Sequence, residues 1–372
     1  MGALTGVRIA DFSRVLAGPY ATMLLGDMGA DVIKIERPEV GDDTRSWGPP
    51  FDSSHRATYF QSVNRSKRGI TADLSTERGR KRALEIIATC DVLVENFSVG
   101  TMEKFGLGYG KLSVTFPKLI YCSISGFGTS DVARAMPGYD LLVQALSGLM
   151  SVTGPDSDHP SKVGVALVDV TAGMHAALGI LAAIYHRKES GKGQKIEVNL
   201  LGSALSAMVN QSAAFTGAGV TPTAMGNAHP SIAPYEVYKA KDCQIVIAVG
   251  NDGQFVKFCT VLGIDLASDV RFENNVSRVK NRTELNALIA PILASKEGGV
   301  WVVQCTKVGV PAGKINDVKA AVELAQELGL TPVVTITDPR DASVSKTIAN
   351  PINFSETPTE YRLGPPALGI DD

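Results

Sequence analysis

The first third of the chain alternates strand-like and helical segments, and this alternation restricts the fold more than any other feature of the sequence. Helical periodicity is clearest over residues 17–29 and 76–89. The strand-like segments, rich in β-branched and apolar residues, are 6–12, 31–37, 68–74, 91–97 and 118–128. Such alternation is typical of a parallel sheet, because each parallel connection has to return across a face of the sheet. We therefore predict an α/β fold with a doubly wound, Rossmann-like parallel sheet.

The composition changes after about residue 200, which indicates a second, smaller domain. Residues 201–225 begin with an Ala- and Ser-rich helical stretch and continue rich in Gly and Thr. Residues 235–250 contain two strand-like runs joined by a turn, and a helical stretch follows at 252–262. The predicted organisation is a large domain over 1–200, a linker over 201–225, a small α+β domain over 226–330, and late strands at 331–339 and 350–355 that rejoin the large domain within 331–372.

Composition and charge favour an ordinary globular protein and argue against several other classes. Hydrophobic residues make up 44% of the chain and charged residues 20%, which provides a sizeable core. The net charge is −2 and the basic residues are dispersed, which argues against binding to nucleic acid. No apolar run reaches the length of a membrane span, and the five cysteines are too far apart for a zinc site or a disulfide framework. We expect a cytoplasmic protein, or one in an organelle matrix after removal of an import signal.

The turn after the first predicted strand lacks the phosphate-binding motifs of nucleotide enzymes. Residues 13–25 contain neither GxGxxG nor a Walker sequence, which argues against hydride transfer and kinase chemistry. The short motif LAGP at 16–19 nevertheless places small residues at the predicted start of a helix, where backbone N–H groups can face an anion. An anionic ligand would therefore be bound locally, by backbone amides and a few side chains.

Asp169 is the one acidic residue in the mostly apolar stretch 164–187. The preceding residues, 163–168, have the pattern of a strand, and the following ones have the spacing of a closely packed helix. A carboxylate at such a junction is costly unless it is satisfied or used. It could be the N-cap of the helix, bonded to the amides at 171 or 172. It could also be a nucleophile that the helix dipole keeps ionised, and the residues alone leave both interpretations open.

Five long motifs occur in a fixed order along the chain. They are FSRVLAGPYATMLLGDMGADVIKIERP, NRSKRGITADL, DVLVENF, PGYDLLVQALSGLM and VGVALVDVTAGMHAALGILAAI. In this order they resemble the family III CoA-transferases, the group that includes formyl-CoA transferase, and within it the branch that uses succinyl-CoA and dicarboxylic acids. The resemblance implies an interlocked homodimer, an acyl-CoA and a small carboxylic acid as partners, coenzyme A as substrate, and no permanently bound cofactor or metal.

By this resemblance Asp169 is the nucleophile. Its carboxylate attacks the thioester of an acyl-CoA, the CoA thiolate leaves, and an aspartyl mixed anhydride forms. The thiolate then attacks the aspartyl carbonyl to give an aspartyl-CoA thioester, and an acceptor carboxylate reverses the steps. One thioester replaces another, so no ATP is required. The site has to supply N–H groups for the developing oxyanion and to exclude water.

The resemblance also implies which residues contact coenzyme A. Arg37 is expected at the nucleotide end, and Tyr139 is expected near the thioester. The full expected set is Leu16, Ala17, Arg37, Ala72, Asp73, Leu74, Asn96, Phe97, Lys104, Tyr139 and Asp140. Each has a structural alternative, because the apolar members could be core residues and the charged members could be surface charges.

Two other functions and one question of specificity remain open. The α-methylacyl-CoA racemases of the same fold have a His where this chain has Tyr139, which is a poor base near neutral pH, so a racemase is the weaker alternative. A CoA-binding protein without catalysis is the second alternative. A dicarboxylate needs a cation for its second carboxylate. Arg45 and Arg14 are the candidates, and each could instead form a loop salt bridge with Asp42 or Asp43.

Overall fold

A six-stranded parallel sheet occupies the centre of the larger of the two units into which the chain divides. The computed structural model describes all residues from Met1 to Asp372. The large unit contains Met1–Leu149, Lys162–Val220 and Gly329–Asp372, and the small unit contains Met150–Ser161 and Thr221–Leu328.

Each of the five strand-like segments at the start of the chain contains a strand, and a sixth follows later. The strands are β1 (Arg8–Asp11), β2 (Asp31–Glu36), β3 (Lys67–Thr71), β4 (Val92–Glu95), β5 (Ile120–Ser125) and β6 (Lys195–Asn199). They lie in the order β3-β2-β1-β4-β5-β6, and all neighbours are parallel. The order reverses between β1 and β4, and in open α/β sheets ligands bind beyond the carboxyl ends of the strands at such a point. The predicted α/β fold is confirmed.

Helices cover both faces of the sheet. Ile9 and Val94 point to a core that they share with helices of one face, whereas Ala10 and Leu93 point to the core of the other face, as expected for neighbouring residues of a strand. The helices of the large unit are α1 (Ala17–Asp27), α2 (Thr58–Ser62), α3 (Glu77–Ile87), α4 (Thr101–Lys104), α5 (Tyr109–Thr115), α6 (Asp140–Leu146), α7 (Leu167–Ser190), α8 (Leu200–Ala207) and α9 (Val209–Ala218).

Helices α1 and α7 pack closely because small residues line their contact. Ala172 and Ala176 of α7 are completely buried. A Cβ atom at Gly173 would come within 2.6 Å of the carbonyl oxygen of Ala17, so a larger residue would force the two helices apart. The closely packed helix face that the spacing predicts is therefore present, and it holds α7 against the start of α1.

Three local predictions differ from the structure. Residues 163–166 form no strand, because the apolar run there leads directly into α7, and short apolar runs fit either element. Residues 201–225, predicted as a linker, contain most of α8 and all of α9 and belong to the large unit as far as Val220. Residues 350–355 also form no strand. The late hairpin instead consists of β10 (Val333–Thr337) and β11 (Val344–Ile348), which pair antiparallel within the large unit.

The small unit is an α+β module with its own core. Its antiparallel sheet contains β7 (Tyr235–Lys239), β8 (Gln244–Ala248) and β9 (Ala312–Lys314), in that order. Its helices are α10 (Asp252–Leu262), α11 (Asn275–Lys280), α12 (Arg282–Leu293), α13 (Gly298–Lys307) and α14 (Val318–Glu327). Phe255, Phe258 and Trp301 are completely or almost completely buried and form the centre of this core.

Helix α7 is long and apolar enough to span a membrane by length and composition. It has 24 residues, its most apolar window has a mean hydropathy of 1.8, and 50% of that window is buried. This corrects the expectation that no apolar run reaches such a length. The buried residues of α7 belong to the core on one face of the sheet, and a core helix meets the same criteria.

Two lysines are completely buried next to the carboxyl end of β1, and each has a carboxylate partner. Lys34 Nζ lies 2.9 Å from Asp42 Oδ2, and Lys67 Nζ lies 3.0 Å from Asp11 Oδ2. Burial opposes ionisation of Asp42, but Lys34 and hydrogen bonds from Thr44 outweigh it and lower the pKa of Asp42 to about 2. The Lys34–Asp42 pair therefore remains charged at neutral pH in the interior of the large unit, whereas burial lowers the pKa of Lys67 to about 8.

Replacement of Lys34 by Met should strongly destabilise the protein. The Asp42 carboxylate would stay buried without its cation, which costs about 3–5 kcal/mol in comparable cases. Unfolding in urea measures the loss. The control Lys118→Met, at an exposed position, should change the stability by less than about 0.5 kcal/mol. Equal stability of the Lys34 variant and the control would contradict this role of the ion pair.

Candidate active site

A cavity of about 470 Å³ opens at the carboxyl ends of β1, β4 and β5, where the strand order reverses. Its volume lies in the range of small-molecule sites, about 300–1,000 Å³. The ends of the three strands and the loops after them form most of its walls. Asp43, which follows β2, and one residue each from α1, α7 and α8 complete it. The lining consists of residues 14–17, Asp43, 96–99, 124–128, 133–139, Asp169 and Leu200.

Hydrogen bonds from two neighbouring parts of the chain fix the loop after β1. From β2, Lys34 Nζ donates to the carbonyl oxygen of Ser13 at 3.0 Å. From the loop after β4, Asn96 Oδ1 accepts from the Arg14 N–H at 2.8 Å, and Asn96 Nδ2 donates to the Arg14 carbonyl at 2.7 Å. The wall of the cavity at residues 14–17 is therefore tied to β2 and to the loop after β4.

Val15 adopts a backbone conformation that β-branched residues rarely take. Its φ is +67°, and its N–H lies 3.3 Å from each oxygen of the buried Asp42. Strained residues of this kind cluster at functional sites. The turn presents Leu16 and Ala17 to the cavity at the start of α1. The first helical bond runs from Tyr20 N–H to Leu16, so the amide of Ala17 has no acceptor within the helix.

Asp169 lies in the first turn of α7 and not at its N-cap, which is Ala166. The N–H groups of Val168 and Asp169 donate to Asp140 Oδ1 at 2.9 and 3.2 Å. The other oxygen of Asp140 accepts from Gln144 Nε2 at 2.6 Å. Asp140 therefore satisfies the start of α7, and the capping interpretation of Asp169 is wrong. The side chain of Asp169 lies at the cavity wall instead.

The carboxyl group of Asp169 is unusually basic. Burial raises its pKa to about 7, and the nearby negative charge of Asp140 acts in the same direction. The raised pKa acts against the expected effect of the helix dipole, which favours the ionised form of a carboxyl group in the first turn. A carboxylate that ionises near neutral pH is a stronger nucleophile than an exposed one, and perturbed groups of this kind are typical of active sites.

The structure brings together about half of the residues that the sequence predicts for the site. Those lining the same cavity as Asp169 are Leu16, Ala17, Asn96, Phe97 and Tyr139. Those outside its lining are Arg37, Ala72, Asp73, Leu74, Lys104 and Asp140.

The residues outside the lining have other surroundings. Ala72 and Asp73 border a second cavity of about 520 Å³ in the large unit. Arg37 Nη2 is 2.7 Å from Asp43 Oδ1, and its side chain is 51% exposed. Leu74 packs against the core and Lys104 is exposed. Three basic residues of α3 also border the second cavity, and we call Arg78, Lys81 and Arg82 the basic cluster.

The loop after β5 contributes more of the cavity wall than the sequence predicts. Gly126 and Gly138 approach so closely that a Cβ atom on Gly126 would lie 2.6 Å from the Cα of Gly138. This contact brings residues 133–139 back to the cavity next to the end of β5. The available signal was Gly126 and Gly128 at the end of the predicted strand 118–128, since ligands bind beyond the carboxyl ends of such strands.

Comparisons with known proteins agree with this geometry. The sequence profile of CoA-transferase family III matches residues 4–372. The chain is 41% identical to the succinate–glutarate CoA-transferase of Agrobacterium fabrum, over 98% of this chain and 93% of that protein. It is 40% identical to the succinyl-CoA:glutarate CoA-transferase of Mus musculus, over 99% and 84%. The crystal structure of a CAIB/BAIF family protein from Brucella suis superposes with a TM-score of 0.87 at 40% identity, over 100% and 97% of the two chains.

Fold, cavity and comparisons define an enzyme that transfers coenzyme A. The chain belongs to CoA-transferase family III. Its substrates are CoA thioesters, and coenzyme A is not a permanently bound cofactor.

The pKa of Asp169 predicts how the stability of the protein depends on pH. Because the pKa of Asp169 is raised from 3.8 to about 7, the folded state binds more protons than the unfolded state between these values. Stability is therefore lost as the pH rises through this window. The variant Asp169→Asn does not ionise at this position and therefore lacks this loss. The free energy of unfolding of the variant, relative to that of the wild type, should rise between pH 4 and pH 8 by at most about 4 kcal/mol.

Thermal unfolding of the two proteins across this pH range measures the gain. The control is Asp131→Asn, because the side chain of Asp131 is 98% exposed. Its difference from the wild type should be small and constant with pH. A difference for Asp169→Asn that is equally constant would contradict the raised pKa.

Proposed function

We propose that the protein moves CoA from succinyl-CoA, or a similar short acyl-CoA, to a dicarboxylic acid such as glutarate or itaconate. The observation that carries this proposal is the basic carboxylate of Asp169 at the wall of the cavity at the strand-order reversal. The glutarate CoA-transferases named above are similar to this chain over nearly its full length, which supports dicarboxylic acids as the substrate class.

In the first step an oxygen of Asp169 attacks the thioester carbonyl carbon of the donor. The C–S bond breaks, CoA leaves as the thiolate, and a mixed anhydride joins Asp169 to the donor acid. Negative charge develops on the carbonyl oxygen during the attack. The amide of Ala17, at the N-terminus of α1 and on the cavity wall, is a suitable donor for this oxygen.

In the second step the CoA thiolate attacks the carbonyl carbon of Asp169 and releases the donor acid. The product is a thioester between Asp169 and CoA. A carboxylate of the acceptor then attacks this thioester, and the same two steps run in reverse to give the acceptor's CoA ester. Each intermediate retains an activated carbonyl, so water has to be kept from the cavity throughout.

The remaining predicted contacts fit the rest of coenzyme A. Asn96, Phe97 and Tyr139 line the cavity with Asp169 and would hold the part of CoA near the thioester. Ala72 and Asp73 border the second cavity, where the basic cluster Arg78, Lys81 and Arg82 would suit the phosphates at the nucleotide end. Arg37 contacts one oxygen of Asp43 and Arg14 approaches the other, and we keep Arg37 as a contact of the nucleotide.

The test of this function needs neither ATP nor a metal ion. Succinyl-CoA is incubated with isotope-labelled dicarboxylic acids, and the products are identified by mass spectrometry. We expect the label in the CoA ester of an acceptor acid, and we expect Asp169→Ala to reduce the rate by at least about 10³-fold because the nucleophile is lost. Hydroxylamine added during turnover should leave a hydroxamate at residue 169.

Two results would favour the alternative functions. Solvent deuterium appearing at the α-carbon of a 2-methylacyl-CoA would indicate a racemase. Tight binding of CoA without exchange of any thioester would indicate a binding protein. Either result without labelled product would refute the transferase proposal.

We also propose that the protein forms a homodimer, as the family resemblance implies. Helix α7 exposes an apolar stripe, with Met174 42%, Leu178 64% and Tyr185 68% exposed. Phe215 on α9 adds a further aromatic ring that is 62% exposed. Apolar surface of this extent is typical of a face that binds another protein chain, and a second copy of this chain would cover it.

The double variant Leu178→Glu, Tyr185→Glu should shift the protein from dimer to monomer, because it places charges in the centre of the proposed interface. Analytical ultracentrifugation at several concentrations measures the shift. Val114→Glu on α5 is the matched control, since Val114 is 82% exposed and lies outside the stripe. A wild type that is monomeric at all concentrations would refute the dimer.

A further inference from the structure

The two arginines that the sequence offers for a second carboxylate have different surroundings in the structure. The guanidinium group of Arg45 binds both oxygens of the buried Glu36, at 2.9 and 2.6 Å. It also lies over the ring of Phe60, 3.9 Å from the centroid, and it does not line the cavity. Arg45 is therefore a structural residue, and the prediction that it could bind substrate is not supported.

Arg14 lines the cavity, and its guanidinium group is only partly satisfied. Its best acceptor is Asp43 Oδ2 at 3.5 Å, the limit of a hydrogen bond, while the other oxygen of Asp43 accepts from Arg37 at 2.7 Å. The Nε atom of Arg14 is buried and donates to no acceptor in the chain. A buried donor without an acceptor costs free energy, which an anionic ligand in the cavity would recover.

The position of Arg14 is defined although its guanidinium group lacks strong acceptors. Its Cζ atom lies 5.0 Å from the centroid of the Phe97 ring, a cation–π distance. Asn96 binds both backbone groups of Arg14, so the base of the side chain is fixed as well. The guanidinium group, on a side chain that is 38% exposed, therefore lies beside Phe97 at the cavity wall, and a guanidinium can bind both oxygens of a carboxylate at once.

A second arginine of the lining, Arg134, is arranged differently. Its side chain is 53% exposed, and it has only long contacts, 3.7 Å to Asp131 and 3.5 Å to the Thr129 carbonyl. No aromatic ring holds its guanidinium group. Arg134 therefore contributes positive charge to the cavity without a fixed geometry, and it provides a matched comparison for Arg14.

We propose that Arg14 binds the carboxylate of the dicarboxylic substrate that is not converted to the thioester, and that it thereby selects dicarboxylic over monocarboxylic acids. This inference rests on the proposed function and names the residue that determines its specificity. A monocarboxylic substrate would leave the Arg14 donors without an acceptor inside the cavity. Sites built to bind a polar group reject analogues that lack it for this reason.

The test compares succinyl-CoA with butyryl-CoA, which has the same chain length and a methyl group in place of the second carboxylate. The rate of formation of the CoA adduct at Asp169 is measured in a single turnover by mass spectrometry of the quenched protein. The result for each protein is the ratio of the two rates. Because both rates come from the same preparation, a partly unfolded variant still gives a valid ratio.

We expect the wild type to prefer succinyl-CoA. The variant Arg14→Gln should lower the ratio by about 10- to 100-fold, almost entirely through the slower reaction of succinyl-CoA. Arg14→Lys should have a ratio between those of the wild type and Arg14→Gln, because lysine keeps the positive charge but lacks the planar guanidinium that binds both oxygens of a carboxylate. Arg134→Gln removes one positive charge from the same cavity and should leave the ratio within about twofold of the wild type.

Two results would overturn the role of Arg14 while leaving the transferase intact. One is an Arg14→Gln variant in which both rates fall by the same factor, which would assign Arg14 to a part of CoA common to both substrates, such as a phosphate. The other is an unchanged ratio with unchanged rates. Failure of the proposed function itself would show as the absence of any adduct in the wild type.

Discussion

The ion pair between Lys34 and Asp42 supports most of the active-site geometry. Lys34 lies on β2 and donates both to Asp42 and to the loop after β1, and Asp42 in turn accepts from the N–H of Val15. Both charges are completely or almost completely buried, so each is costly without the other. The unusual backbone conformation of Val15, and with it the position of Arg14 and of the start of α1, depends on this pair.

A second pair of charged groups has a different effect. Asp140 satisfies the N–H groups at the start of α7, and its negative charge adds to the effect of burial on Asp169. One carboxylate thus positions the helix that carries the other and also makes that other carboxylate more basic. The helix dipole alone would make Asp169 more acidic. The raised pKa of Asp169 therefore reflects its burial and its neighbour more than its place on the helix.

The sequence predicts the parallel sheet well, because its strands are β-branched and the segments between them have helical spacing. It also predicts the residues directly after β1 and β4, where the family motifs are dense. It fails where contacts join distant parts of the chain. Asp140 and Asp169 are 29 residues apart, and only tertiary structure shows that the first binds the amide of the second. Likewise the sequence offers both Arg14 and Arg45 as partners of a second carboxylate, and only the structure, in which the buried Glu36 binds Arg45, distinguishes them.

The contact between Gly173 and the carbonyl of Ala17 has a consequence for how the enzyme can diversify. It joins α7, one turn after Asp169, to the first residue of α1, so the helix that carries Asp169 packs directly against the start of α1 at the cavity wall. The loop after β5 takes no part in this contact. Changes in that loop can therefore reshape the cavity while the carboxylate of Asp169 keeps its place beside the first residues of α1.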